Sequence, residues 1–198
     1  MKELNIDSLS LSAHKFYGPK GIGALYVKKD VQFSKFINGG HQERNKRAGT
    51  ENVAGIVGLG KAIELAYEDL EEHNQKIKEL RDYYVEQIKE RIPYIQINGD
   101  MEKRLPGNSN ISFKFIQGES LLLNLDLKGI CASSGSACTS GSLDASHVLL
   151  AIGLSDETAR SSLRISIGKY NTKEEIDYLV DNLVEIVGRL RKISQSWG

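Results

Sequence analysis

One segment in the second half of the chain, from Ala132 to Ser142, contains no side chain larger than threonine. A segment without large apolar side chains has nothing to anchor it in a core, and this predicts a flexible loop. The core must therefore come from the elements on either side. Cys138 lies in the middle of the loop, where its thiol would be exposed and free to ionise beside a positive group, as a nucleophile requires. A Gly/Ser linker with an incidental thiol is the alternative.

The apolar residues outside this loop follow strand and helix periods in an order that predicts an α/β or α+β fold. The strands are expected at residues 4–11, 22–27, 94–97 and 111–116, and the helices at 53–67, 77–88, 118–127 and 176–190. Thr50 is predicted to cap the first helix, and Thr172 and Glu175 have the spacing of a capping box before the last one. The charged residues 68–79 mark either a domain boundary or one solvated helix face.

Charge and composition narrow the classes of function. The chain has 26 Lys and Arg against 26 Asp and Glu, and this balance argues against a general nucleic-acid binder or a protein held at a membrane by charge. No apolar run approaches the roughly 20 residues that span a bilayer, and the first residues lack the apolar region of a secretory signal. The 2 cysteines cannot build a disulfide framework, so we expect a reducing, cytoplasmic setting. The cysteines and histidines show no zinc-ligand spacing.

The segment 12–23 places a lysine where a strand gives way to a glycine-rich turn, which is where α/β folds usually build their sites. Apolar and small neighbours would desolvate the ammonium of Lys15, leaving the amine available for a Schiff base with a carbonyl compound or pyridoxal phosphate. Ser12, His14 and nearby backbone N–H groups are suited to holding a phosphate. The alternative is a surface turn whose lysines are solvated.

Arg164 lies in a second candidate segment, residues 161–168. Strand alternation puts the arginine on the face opposite Leu163 and Ile165, and an arginine fixed on a strand is a good bidentate partner for a carboxylate. An ordinary ion pair is the alternative.

Two further features involve a loop and the second cysteine. The loop 39–50 carries basic residues ahead of a helix N-terminus, a favourable place for an anion, although Thr50 could merely cap that helix. Cys131 follows a strand-like start and is expected to be a small buried hydrophobe.

Taken in order, these segments resemble the cysteine desulfurase family, the NifS/IscS class of pyridoxal-phosphate enzymes. The matching segments are SAHKFYGPKGIGALYV (12–27), GGHQERNKRAGTENVAGIVGLGKA (39–62), GNSNISF (107–113), SSGSACTSGSLDASHVLLAIGL (133–154) and SSLRISIGKYNTKEEID (161–177). The resemblance implies an α/β fold of the fold-type I pyridoxal-phosphate transferases. It implies a partial large domain at 1–71, and a small α+β domain at 72–198 that carries the cysteine loop.

The same resemblance implies roles for the residues around the cofactor, pyridoxal 5'-phosphate. Lys15 would form the Schiff base with it, and Ser12 and His14 would hold its phosphate. Thr50 would reach the phosphate bound by the partner subunit of a homodimer. Asn45 and Ala48 depart from a usual glycine and a usual serine of the family in this loop, while Thr50 stays in place.

The implied reaction converts L-cysteine to L-alanine. Arg164 would hold the substrate carboxylate, and Cys138 would accept the sulfur as a persulfide for delivery to an iron–sulfur scaffold or a sulfur-carrier protein. A selenocysteine lyase is the related alternative. The second alternative is an unrelated α/β protein whose motifs match by chance.

The resemblance is to the carboxy-terminal part of the family, because only fourteen residues precede Lys15. The upstream part of family members carries the acidic partner of the pyridine nitrogen, the histidine that stacks on the ring and most of the central sheet. We therefore expect the 198-residue chain alone to be catalytically weak or inactive. An inactive module that dimerises or docks a sulfur acceptor is the corresponding alternative.

Overall fold

A computed structural model describes residues 3–135 and 145–194. The chain divides into two compact units, residues 1–70 and 71–198. The first unit consists of strand β1 (Ser8–Ser12), the 3₁₀ helix η1 (Ala13–Phe16), strand β2 (Gly23–Val27), the short turn α1 (Gln42–Asn45) and helix α2 (Val53–Glu68). Helix α3 (Leu70–Arg91) begins at the boundary. The rest of the second unit consists of β3 (Ile95–Ile97), β4 (Asn108–Phe113), α4 (Gly118–Asp126), α5 (His147–Ala151), α6 (Asp156–Arg160), β5 (Ser162–Ser166) and α7 (Lys173–Ile193).

In the first unit, β1 and β2 form an antiparallel pair in which Ser12 lies opposite Gly23. Two backbone hydrogen bonds close the turn between them, from Ala13 N–H to Ile22 O at 3.1 Å and from Gly18 N–H to Ala13 O at 2.9 Å. These bonds hold η1 as a compact turn inside the hairpin.

The N-cap of helix α2 lies two residues after the predicted cap, Thr50. Asn52 is the N-cap residue, and its Oδ1 accepts from Gly55 N–H at 3.1 Å. The prediction that Thr50 caps this helix is therefore wrong. Both side chains have the oxygen that a cap requires, and the chain places the asparagine at the turn where the first free N–H groups point.

In the second unit, β3, β4 and β5 form an antiparallel sheet in that order. The core cluster joins one face of this sheet to the apolar stripes of α3, α4 and α7. Its fully buried members include Tyr84, Ile88, Ile111, Phe113, Leu121, Leu125, Val180, Leu183 and Ile186. Thr172 and Glu175 cap α7 reciprocally, as the capping box predicts.

The two units differ sharply in their cores. Among the described residues of the first unit, the buried apolar side chains are only Ala13, Ala48 and Ala62. Large apolar residues of α2 stay exposed instead, with Val57 67% and Tyr67 73% accessible. Since hydrophobic stabilisation scales with the apolar area removed from water, the second unit holds most of the stabilising burial.

The predicted α/β fold is confirmed, and each predicted strand and helix has a counterpart in the structure. The three short helical segments α1, α5 and α6 carry too few residues to show a period, and the sequence patterns missed them. No helix in the described ranges 3–135 and 145–194 is long and apolar enough to cross a membrane.

Candidate active site

The lysine turn is held against α2 by small residues. A side-chain Cβ on Gly18 would lie 2.9 Å from Ala13 Cβ and 3.0 Å from Ala62 Cβ, and one on Gly58 would lie 2.6 Å from Pro19 Cγ. These contacts are closer than larger side chains would allow, so the glycines let the turn approach the helix. Ala13 is fully buried as a result.

The backbone of η1 brings three of the predicted cofactor residues together. Ser12 ends β1 in an extended conformation, His14 and Lys15 follow within the same turn, and Tyr17 ends it with φ 66°. The last pair of β1 and β2 before the turn requires glycine at position 23, because a Cβ there would lie 2.5 Å from Leu11 O.

Lys15 is exposed, and so is His14. The prediction that apolar and small neighbours desolvate the Lys15 ammonium is therefore wrong, because the described residues leave this side chain exposed. The packing of η1 on α2 uses Ala13 and Gly18, which leaves the two basic side chains of the turn facing solvent.

The donors on this turn fit pyridoxal phosphate by their chemistry. The Ser12 side chain makes no capping hydrogen bond to η1, so its hydroxyl is available to a ligand. A hydroxyl and an imidazole suit a phosphate, and a primary amine suits an aldehyde carbon.

Thr50 lies in the loop before α2 and is exposed. No hydrogen bond in the described part of the chain joins it to Ser12, His14 or Lys15. The same loop contains Asn45 with φ 63°, a left-handed conformation that glycine or asparagine adopts more readily than other residues. This conformation accounts for asparagine where the family usually has glycine.

Arg164 lies on β5, and the alternation predicted for this strand is confirmed. Leu163 and Ile165 are buried in the core cluster, while Arg164 lies on the opposite face and is half-buried. Its Nε atom is buried and has no hydrogen-bond partner among the described residues. A guanidinium N–H removed from water without an acceptor is costly, and a bound carboxylate would remove that cost.

The segment that leads to the cysteine loop is hydrogen-bonded to Arg164. Ser133 and Arg164 exchange both backbone bonds, with Arg164 N–H to Ser133 O at 2.6 Å and Ser133 N–H to Arg164 O at 3.2 Å. Ser162 Oγ donates to Ser134 O at 3.1 Å and fixes the next residue. The edge of β5 therefore carries the start of the loop.

Cys138 lies outside the described residues, which resume at Ala145. The two ends of the intervening segment are adjacent, because a Cβ on Gly135 would lie 3.8 Å from Ser146 Cβ. Cys131 is exposed, so the prediction of a buried small hydrophobe is wrong. It follows the end of α4 and precedes the bridge at Ser133, in a stretch that the sheet does not cover.

Sequence reasoning missed a polar network on the Arg164 face of the sheet. Asn98 is buried, and its Nδ2 donates to Asn110 Oδ1 at 2.6 Å and to Ser112 Oγ at 2.8 Å. Ser112 Oγ donates in turn to Thr158 O at 2.8 Å. The alternation of polar and apolar residues in GNSNISF was the available signal, since a strand puts Asn110 and Ser112 on one face.

Comparison with known proteins assigns the class. A family model described as aminotransferase class-V matches residues 1–179, and the chain belongs to this family of pyridoxal-phosphate-dependent enzymes. A relative from Clostridium botulinum named cysteine desulfurase IscS is 57% identical over 199 residues, which cover 100% of this chain and 50% of that protein.

Two solved structures agree with this assignment. A NifS-like protein has a TM-score of 0.85 and 38% identity, and the match covers 96% of this chain and 48% of the other. A structure described as SspA in complex with cysteine has a TM-score of 0.60 and 34% identity, covering 86% and 46%. The chain therefore spans about half the length of the relatives that it matches.

Proposed function

We propose that this chain carries the sulfur-accepting part of a cysteine desulfurase, which converts L-cysteine to L-alanine and leaves a persulfide on Cys138. The pairing of Ser133 with Arg164 is the observation that carries the proposal. This pairing attaches the start of the small-residue loop to β5. The loop contains Cys138, and β5 contains Arg164, the proposed carboxylate-binding residue.

The chain's own residues would divide the work. Arg164 binds the substrate carboxylate through its guanidinium, which orients the amino acid. Ser12 and His14 would hold the phosphate of pyridoxal phosphate, and the Lys15 amine would bind its aldehyde group and move a proton at the substrate. When bound, the cofactor supplies an electron sink for the substrate carbanion.

The sulfur transfer balances without a further reactant. The Cys138 thiolate attacks the substrate sulfur, a sulfur–sulfur bond forms, and the carbon–sulfur bond of the substrate breaks. The substrate carbon keeps the electron pair and takes a proton, giving L-alanine. The two sulfur atoms are oxidised to the persulfide level while that carbon is reduced.

Chain geometry supports this assignment of the nucleophile. Cys138 is three positions beyond Gly135, and consecutive Cα atoms are about 3.8 Å apart, so the two Cα atoms are separated by at most about 11 Å. Gly135 is itself two positions beyond Ser133, which is bonded to Arg164.

Similarity to the same family supports a proposal for the partners. We propose a homodimer in which Thr50 reaches the phosphate held by the other subunit, and an iron–sulfur scaffold or sulfur-carrier protein as the acceptor. We also propose a cytoplasmic setting. Two cysteines cannot build a disulfide framework, and the proposed reaction requires a free thiol, which a reducing compartment preserves.

Borohydride trapping tests the proposal. The purified chain is mixed with pyridoxal phosphate and reduced, and its peptides are mapped by mass. Lys20 is the internal control, because it is an exposed lysine in the same turn. We expect label on Lys15 in clear excess over Lys20, and Lys15→Ala should remove it. Equal labelling of both lysines would contradict an assembled cofactor site in this chain.

A second mass measurement tests the sulfur step. After incubation with L-cysteine and the cofactor, we expect the mass increase of one sulfur atom on Cys138 and none on the exposed Cys131. Sulfur on both thiols in equal amount would indicate free sulfide chemistry and would count against Cys138 as the acceptor.

The exposure of Lys15 favours a second function for the chain by itself, as a module that docks the sulfur acceptor without catalysis. The two functions separate by mutation. Docking should survive both Lys15→Ala and Cys138→Ala, whereas persulfide formation should survive neither. An acceptor that loses binding on both changes would exclude the docking module.

A further inference from the structure

We propose that Asn110 is a second carboxylate-binding residue, which donates from its amide to the substrate carboxylate beside Arg164 and is held in place by Asn98. This inference rests on the proposed function and extends it from one residue to a polar pair on the sheet. It assigns a role to the GNSNISF segment, which the proposed reaction does not otherwise use.

The strand register places Asn110 directly across from Arg164. Asn110 on β4 pairs with Arg164 on β5, and the neighbouring pair Ile111 and Leu163 is buried in the core. Because side chains alternate along a strand, Asn110 and Arg164 share the face that is turned away from that core.

The two residues form the closely spaced kind of antiparallel pair. Both backbone groups of Arg164 bond to Ser133 on the far side of β5, and Asn110 O accepts from Asn98 N–H at 2.9 Å on the far side of β4. The backbone groups of Asn110 and Arg164 therefore do not hydrogen-bond to each other. In such a non-hydrogen-bonded pair the Cα atoms are roughly 4.5 Å apart and the side chains lie closer than in the other kind.

Asn98 fixes the orientation of the Asn110 amide. Asn98 is 2% exposed, and its Nδ2 donates to Asn110 Oδ1 at 2.6 Å. The same Nδ2 atom also donates to Ser112 Oγ at 2.8 Å, so it bonds to two side chains of β4. Because the Asn110 amide oxygen faces Asn98, the Nδ2 donor of Asn110 is directed away from Asn98.

Two N–H donors on this face are therefore available to a ligand. Arg164 Nε is buried without a partner, and no described residue accepts from Asn110 Nδ2. A carboxylate has two oxygens that accept hydrogen bonds, and a guanidinium with an adjacent amide supplies donors for both. The ligand class is the carboxylate of an α-amino acid.

Carboxylate binding is measurable without turnover. We would label the chain with ¹⁵N and titrate it with L-cysteine, following the Arg164 side-chain Nε–H and the backbone amides of β4 and β5. Cysteamine, which has the amine and thiol of cysteine but no carboxylate, is the matched ligand. We expect L-cysteine to shift these resonances and cysteamine to leave them unchanged.

Three variants isolate the role of Asn110. Asn110→Ala should weaken L-cysteine binding about tenfold, as the loss of one hydrogen bond to a charged group predicts. Asn110→Asp keeps the oxygen that accepts from Asn98, removes the donor and repels the carboxylate, so it should weaken binding further. Asn108→Ala is the control, because Asn108 lies on the same face two positions away but opposite Ser166.

The outcomes separate this inference from the function on which it rests. If Arg164→Ala abolishes binding while Asn110→Ala and Asn110→Asp behave like Asn108→Ala, the role of Asn110 is overturned and the role of Arg164 stands. If the unmodified chain responds equally to L-cysteine and cysteamine, or to neither, both are overturned. Unchanged backbone spectra of the free variants establish that the sheet is intact.

Discussion

Tyr83 and Tyr84 are consecutive residues of α3, yet their hydroxyl groups lie in opposite environments. Tyr83 Oη donates to Asp177 Oδ1 at 2.5 Å and accepts from Lys173 Nζ at 2.9 Å, which ties α3 to the first turns of α7. Tyr84 is fully buried, and its hydroxyl has no partner among the described residues. Burial raises the pKa of Tyr84 well above its ordinary value, because the ionised phenolate would be stranded in the core.

Replacing the two tyrosines by phenylalanine should have opposite effects on stability. Tyr84→Phe removes an unsatisfied buried hydroxyl, so we expect the free energy of unfolding to rise by about 1 kcal/mol. Tyr83→Phe loses a hydrogen bond to a carboxylate and should lower the free energy of unfolding. Urea unfolding followed by circular dichroism measures both. A loss of stability in Tyr84→Phe would mean that its hydroxyl has a partner.

The hydrogen bond between Tyr83 and Asp177 should depend on pH, because the Asp177 carboxylate can be protonated. The Tyr83 hydroxyl and the Lys173 ammonium hold the pKa of Asp177 below its ordinary value near 3.8. A carboxyl whose pKa is lowered by folding contributes stability above its unfolded pKa, and that contribution disappears as the pH falls through the folded pKa. The difference in unfolding free energy between wild type and Tyr83→Phe should therefore be full at pH 7 and shrink below about pH 4.

A matched background checks this titration. In Asp177→Asn the side chain at position 177 carries no charge, so the effect of Tyr83→Phe should be the same at pH 6 and pH 3.5. A pH-dependent difference that survives in this background would assign the titration to another group.

Two glycines of the second unit should respond oppositely to alanine. A Cβ on Gly107 would overlap the Ile167 carbonyl oxygen and lie 3.0 Å from Ile77 Cγ2, so Gly107→Ala should cost about 1–3 kcal/mol of stability. Gly188 is an exposed position inside α7 with no atom within 4 Å of such a Cβ. Gly188→Ala should therefore add about 0.5–1 kcal/mol. Thermal unfolding of both variants gives the comparison.

The unequal cores predict how the chain behaves when it is divided. Residues 71–198 contain the complete core cluster, so we expect this piece alone to unfold cooperatively in urea. Residues 1–70 bury only alanines among their described apolar side chains and should show no cooperative transition. Well-dispersed amide spectra from residues 71–198 and collapsed spectra from residues 1–70 would agree with this. A cooperative transition in residues 1–70 would contradict it.

Local patterns were sufficient where the structure is locally determined. Helix α7 followed from its capping box and from a stripe whose members Ile176, Leu179 and Val180 are all buried. The alternation around Arg164 gave the correct face of β5 for the same reason. Each of these features depends on neighbours within two turns or a few strand positions.

Long-range features were beyond the sequence patterns. Thr50 and Asn52 are both competent N-caps, and only the path of the loop chooses between them. The exposure of Lys15 and Cys131 depends on what packs over them, which composition does not specify. The pairing of Asn110 with Arg164 depends on a register between strands that are distant in sequence, and periodicity within one strand cannot supply it.

Gly135 and Ser146 lie close together, since a Cβ on Gly135 would be 3.8 Å from Ser146 Cβ, and this proximity separates the length of the intervening segment from the sheet. Because the two ends of the segment are adjacent, we expect insertions between them to leave β5 and α5 in place. Doubling the length of a flexible loop adds only about 0.6 kcal/mol to the free-energy cost of closing it. We therefore expect the fold to accept a segment of a different length between Gly135 and Ser146 without rearrangement of the sheet.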